Sequence, residues 1–155
     1  MIALRRGTRI IAVTIAAVLM TFSTALADVP ILSASDASTK VAAGEIILLD
    51  IRTPQEWGET GLADGAWPVS MHSSEFPQQL RTILTKYEPD QIALICATGG
   101  RTAYVAEVLE KNGITGVADV SEGMMGNGRG VGWIASGLPL ITTQQAMARF
   151  DAAMK

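Results

Sequence analysis

From Asp28 onward the chain alternates short apolar runs with longer stretches whose apolar residues recur at helical spacing. Val29–Leu32, Glu45–Asp50, Gln91–Ile95 and Gly116–Val120 are short, partly β-branched runs that read as buried strands. Gly65–Val69 is a further strand, which Pro68 places near an edge because proline cannot donate to a ladder. Between these runs the pattern predicts helices. One is capped by Ser33 or Ser35 and runs through Val41 to a stop at Gly44. Thr53-Pro54-Gln55-Glu56 reads as a capping box opening a brief helix, with Gly58 and Gly61 close behind. Ser74 caps a helix from Glu75 to about Lys86 that buries Phe76, Leu80, Ile83 and Leu84. Thr102–Lys111 is a helix with Tyr104, Val105, Val108 and Leu109 on its apolar face, ended by Asn112-Gly113. A helical turn follows at Trp133–Gly137. Thr142 or Thr143 then caps a last helix that buries Met147, Phe150 and Met154. This alternation predicts an α/β three-layer domain with a mainly parallel sheet of about five strands. Sites in such sheets lie beyond the carboxyl ends of the strands, where Asp50, Arg52 and Cys96 all fall.

The first 27 residues carry a different pattern. Arg5, Arg6 and Arg9 precede an apolar run from Ile10 to Phe22, and Ala25-Leu26-Ala27 follows. That order predicts a signal peptide over 1–27, a single domain over 28–155, and a periplasmic or secreted protein. The competing reading is an uncleaved N-terminal anchor, although the apolar run is short for a membrane span. Cleavage removes three arginines, so the net charge of −3 becomes −6. Such an acidic chain without basic clusters is a poor partner for nucleic acid, and nothing in it suggests a membrane-surface helix.

Cysteine usage sharpens the picture. Exported proteins use cysteines in pairs, and this chain has one, Cys96. It therefore has no internal disulfide and no two-cysteine metal site. With His72 as the only histidine, a histidine-based metal cluster or a Cys-His-Asp triad would have to be built around that one residue. Cys96-Ala97-Thr98-Gly99-Gly100-Arg101 joins a buried strand to a helix. That geometry aims backbone N–H groups and the positive end of a helix dipole into the loop. A cysteine there is expected to be partly thiolate near neutral pH, and the glycines let successive amides converge on it. The bland reading, a small core cysteine, needs neither a glycine loop nor a cation. Arg101 has two readings: it favours the thiolate and draws in an anionic donor, or it braces the loop by pairing with Asp50 or Glu56. Thr98 offers its hydroxyl either to a donor or to its own backbone. Asp50 and Arg52 read as supporting structure, His72 as a surface loop residue, and Trp57 and Trp67 as core.

With these residues in hand, the chain resembles a rhodanese-like domain, from about Ile31 to Leu140. The resemblance rests on Leu49-Asp50-Ile51-Arg52 with Glu56-Trp57, on Gly61-Leu62-Ala63-Asp64-Gly65-Ala66, on Cys96 to Arg101, and on Glu122-Gly123. It ends with Trp133 and Gly137-Leu138-Pro139-Leu140. It implies a sulfurtransferase that carries sulfane sulfur as a persulfide on Cys96, between a small anionic donor and a thiol or cyanide-like acceptor, with no metal or organic cofactor. The chain departs from the family pattern at Leu62, where a histidine is usual, and in a glycine-rich insertion at roughly Gly126–Gly132. Arg129 is the insertion's one charge and a candidate donor contact if the passage is a lid; the alternative is a disordered spacer.

Two other functions compete. Cysteine-dependent phosphatases and arsenate reductases enclose five residues between cysteine and arginine, whereas Cys96 and Arg101 enclose four. A sulfur carrier that hands persulfide to a periplasmic protein partner fits a loop in which Ala97 to Gly100 supply no cation.

Overall fold

The computed structural model describes residues 29–155, so the expected signal peptide and its cleavage point lie outside the described residues. Five parallel strands form the central sheet: β1 (Ile31–Leu32), β2 (Ile47–Asp50), β4 (Trp67–Pro68), β5 (Ile92–Ile95) and β6 (Ala118–Val120). Their order is β1-β6-β5-β2-β4, with β5 at the centre and the proline-bearing strand at an edge. Leu49 of β2 is in register with Leu94 of β5, and Leu94 with Asp119 of β6. The carboxyl ends of β2, β5 and β6 thereby reach one rim.

Helices cover both faces. On one side α1 (Ala34–Ala42), α2 (Pro54–Thr60) and α5 (Gly132–Ala135) pack Ala34, Ala37, Trp57 and Trp133 against Leu48, Ile95 and Val120. On the other, α3 (Phe76–Lys86) and α4 (Gly100–Lys111) pack Leu80, Ile83, Val105 and Leu109 against Leu49, Leu94 and Val69. The last helix, α6 (Thr143–Ala153), covers the β4 edge, where Phe150 meets Trp67 with ring centroids 5.6 Å apart.

Several boundaries follow the sequence for the reasons expected. Ser33 and Thr142 accept the capping N–H groups of α1 and α6, and the Thr53–Glu56 capping box closes on both sides. Others differ. Gly58 lies within α2, and Gly61, at φ +75°, ends it. Ser74 does not cap α3; Ser73 serves that end, its hydroxyl accepting from Glu75 N and its carbonyl from Phe76 N. The buried stripe of α4 is Thr102, Val105, Ala106 and Leu109, so Tyr104 and Val108 are exposed on its flank. On α6 Ala146 is fully buried and Phe150 and Met154 pack against the core as expected, whereas Met147 is exposed. A second, two-stranded antiparallel sheet, β3 (Leu62–Ala63) with β7 (Leu140–Ile141), ties the segment after α2 to the segment before α6. Among the described residues no helix is long and apolar enough to cross a membrane.

Candidate active site

The centre of the sheet delivers Cys96 to the rim. β5 ends at Ile95, and the chain turns through Ala97, Thr98 and Gly99 into α4, which begins at Gly100 rather than Thr102. The turn is possible because Gly99 adopts φ +84°, ψ −16°, a left-handed conformation that side chains disfavour. Its N–H then points back and donates to Cys96 Sγ at 3.2 Å. A side chain at Gly99 would also overlap the carbonyl oxygen of Ser121. Cys96 is 1% exposed, and its sulfur also lies 3.7 Å from the hydroxyl of Thr102, which donates to Gly99 O at 2.9 Å. Thr98 and Gly100 form the open side of the turn; among the described residues the Thr98 hydroxyl has no partner, and its carbonyl is the group engaged.

Starting the helix at Gly100 puts Arg101 in the first turn of α4, where it faces α2. Its two terminal nitrogens donate to Glu56 Oε2 and Oε1 at 2.8 and 2.5 Å. Glu56 also accepts from Thr53 N and Oγ1. Arg101 and then the Thr53 donors hold the Glu56 carboxyl down to about 2, against the opposing effect of burial. The Arg101 guanidinium is held charged mainly by Glu56 and, to a lesser degree, by the neighbouring Cys96 sulfur. The geometry is that of the brace, with Glu56 rather than Asp50 as the partner.

Asp50 and Arg52 stand one layer further back, both fully buried. Arg52 Nε and Nη2 grip the Asp50 carboxylate at 2.9 and 2.7 Å, while Nη1 and Nη2 reach Thr60 Oγ1 and Gly61 O, each at 2.8 Å. The pair closes the carboxyl end of α2. It acts on the loop only by fixing the helix that presents Glu56.

The glycine-rich passage forms a compact turn pressed against the Cys96 loop. Met124 N donates to Cys96 O and Met125 N to Ala97 O, both at 2.8 Å. This approach requires Gly123, since a Cβ there would lie 2.5 Å from Ala97 O. The Asn127 side-chain amide donates to Thr98 O at 2.8 Å and to Ser121 O at 2.6 Å, bridging the ends of β5 and β6. Asn127 and Gly130 pair across the tip, and exposed Arg129 forms no ion pair among the described residues. The passage is therefore a folded wall of the site, and the disordered spacer does not describe it. His72 is exposed, while Trp57 and Trp67 are core.

Three groups at the rim escaped the sequence reading: Thr102, Asn127 and Asp119. Thr102 looked like an ordinary first-turn residue, and Asn127 like one more polar residue among glycines. Asp119 had a legible signal, an acidic residue inside an apolar strand. It is 1% exposed, and burial raises its carboxyl above the ordinary range.

A lone cysteine on a glycine turn between the central strand of a parallel sheet and the N-terminus of a helix defines a class of α/β cysteine-loop domains. Within it the family is settled by comparison. The model of the rhodanese-like domain matches residues 33–127, and the chain belongs to that family. Among solved structures it is similar to a polysulfide-sulfur transferase homodimer from Wolinella succinogenes, at 25% identity and TM-score 0.54, covering 74% of this chain and 80% of that one. A rhodanese-like domain protein from Staphylococcus aureus matches at 24% identity and TM-score 0.51, covering 73% and 99%. A thiosulfate sulfurtransferase from Pseudomonas aeruginosa matches at 22% identity and TM-score 0.51, covering 74% of this chain but 20% of that one. No curated protein sequence matches significantly. Family and neighbours together support a sulfurtransferase kind of function.

Proposed function

We propose that this protein is an exported sulfurtransferase that moves sulfane sulfur through a persulfide on Cys96. The observation that carries the proposal is the Gly99 N–H donated to the Cys96 sulfur at 3.2 Å, at the N-terminus of α4. A donor N–H and a helix N-terminus favour negative charge on that atom, which is what Cys96 needs as the attacking thiolate and again as the thiolate that leaves.

The Cys96 thiolate attacks the outer sulfur of a small anionic donor, thiosulfate or a persulfide. The new S–S bond forms as the donor's own bond to that sulfur breaks, and its electron pair leaves with sulfite or with a thiolate. Cys96 is left as Cys–S–S⁻. A thiol or cyanide then takes the terminal sulfur, and the electron pair of the broken S–S bond returns to Cys96 as thiolate. The loop amide serves both stages in the manner of an oxyanion hole.

Because Arg101 is committed to Glu56, Arg129 on the neighbouring turn is the cation available to an anionic donor. The same scarcity of cations in the loop supports the related reading of a sulfur carrier serving a periplasmic protein. The test is mass spectrometry after incubation with thiosulfate or a thiol persulfide, followed by cyanide. One added sulfur atom on Cys96, removed by cyanide and absent from Cys96→Ser, is the expected result. Absence of the adduct with every donor would overturn the proposal. A persulfide that forms but does not turn over with small acceptors would favour the carrier.

A further inference from the structure

Asp119 is the central residue of β6, is 1% exposed, and has, among the described residues, no hydrogen-bond partner for either carboxyl oxygen. An unpaired carboxylate is among the costliest groups to keep in a core, and this one asks for a reason. Its neighbours Ala118 and Val120 turn toward the layer of α1 and α5. Alternation along a strand then turns Asp119 to the opposite face, shared by Leu94, Cys96 and α4. Its register partner is Leu94, two residues before Cys96 on the adjacent strand. Thr102, fully buried on α4, lies beside the Asp119 carboxyl and favours its charge, although its hydroxyl is turned to Gly99 O. The same hydroxyl oxygen lies 3.7 Å from Cys96 Sγ. Cys96, Thr102 and Asp119 therefore form a buried line behind the loop.

We propose that Asp119, acting through Thr102, is the positioning residue that holds the Cys96 proton and so keeps the negative charge on sulfur. The S–H bond of Cys96 breaks as its proton passes to Thr102 Oγ1. The Thr102 hydroxyl, rotated from Gly99 O, gives its own proton to an Asp119 oxygen, and the electron pair stays on Sγ. The products are a thiolate, an unchanged threonine and a neutral carboxylic acid, with nothing oxidised or reduced.

The surroundings decide where the one negative charge sits. Sulfur has the Gly99 N–H and the N-terminus of α4, whereas the Asp119 oxygens have no N–H donor. Burial is the main influence on Asp119 and favours its neutral form; the Thr102 hydroxyl and, from the glycine-rich turn, the Arg129 charge oppose it. The charged group acting on Asp119 is thus Arg129; Cys96, just past the end of β5, shares its face of the sheet, and β1 brings apolar Ile31 into register. A neutral Asp119 also spares the site a second negative charge that would repel an anionic donor.

This inference rests on Cys96 being the reacting sulfur, and its test needs no sulfur donor. Alkylation of Cys96 by neutral iodoacetamide is followed against pH in the full chain. Asp119→Asn, which keeps the shape but cannot accept a proton, should react roughly tenfold more slowly near neutral pH, with the gap closing in alkali. Thr102→Val should show the same loss, Thr102→Ser should keep the native rate, and the double variant should be no slower than either single one. A superimposable pH profile for Asp119→Asn, or additive losses in the double variant, would overturn it. If Asp119→Asn does not fold, the Thr102→Val and Thr102→Ser pair carries the test, and equal rates overturn it. Loss of sulfur transfer with an intact alkylation pattern would instead count against the proposed function alone.

Discussion

Arg101 and Glu56, 45 residues apart in sequence, meet in a two-pronged ion pair that joins the first turn of α4 to the first turn of α2. The Cys96 loop is consequently fastened at the point where it becomes helix. Glu56 holds α2's own capping box at the same time, so one carboxylate serves two purposes.

That double role gives a pH prediction. The Glu56 carboxyl is depressed from 4.5 to about 2, so its contribution is fully present above the unfolded value near 4.5. It is lost as pH falls through about 2. Glu56→Gln retains a cap acceptor but not the charge, and should cost about 1 kcal/mol at neutral pH. Denaturation midpoints measured against pH should show this deficit shrinking as the solution is acidified. A deficit independent of pH would mean that the pair adds nothing ionic.

Adjacent glycines should respond in opposite ways. Gly99→Ala forces a side chain into a left-handed conformation and against Ser121 O, and should cost more than about 2 kcal/mol. Gly100 has open space around its Cβ direction and lies in the helix, so Gly100→Ala should be neutral or stabilising by up to about 1 kcal/mol. Urea unfolding of both variants checks this, and equal losses would contradict the assigned turn.

The buried Asp50–Arg52 pair should be intolerant of losing one partner. Arg52→Ala leaves the buried Asp50 carboxyl without its partner, and Thr60 and Gly61 without their donor, for an expected loss of about 3–5 kcal/mol. Because neither residue reaches Cys96, a folded variant should still alkylate at Cys96 at a near-native rate. A large change in reactivity without loss of stability would assign the pair a direct part in the chemistry.

Arg129 is predicted to act on donors only. Arg129→Ala should lower kcat/KM for anionic sulfur donors roughly tenfold, a loss of about 1.4 kcal/mol that shrinks at high salt. Its reaction with iodoacetamide should change little, since that reagent carries no charge. Unchanged kinetics with every anionic donor would reduce the turn to its structural role.

Much of this was legible because local chemistry and global fold agree. Thr53-Pro54-Gln55-Glu56, Gly44, Gly61 and Asn112-Gly113 mark helix ends where the chain has them, and the apolar runs identify the parallel strands. The β3–β7 sheet was hidden because two-residue strands have no periodicity, and their pairing is set by where the fold returns Leu140. Tyr104, Val108 and Met147 show the limit of counting apolar residues. A helical pattern broader than the contact it makes leaves its flank in solvent. Cys96 and Arg101 could be placed from the sequence, but Thr102 and Asp119 depend on the packing of α4 over β6. Nothing in their spacing of 17 positions announces that.

The burial of Cys96 has a consequence for redox chemistry. A disulfide between two copies of the chain would have to bring their Cβ atoms within about 4 Å. A sulfur exposed to 1% behind Thr98 and the glycine turn cannot make that approach without the loop opening. With the loop closed, oxidation would therefore lead to sulfenic or mixed small-molecule adducts rather than covalent dimers. An unpaired cysteine held this way is guarded against covalent dimerisation by the shape of its own loop.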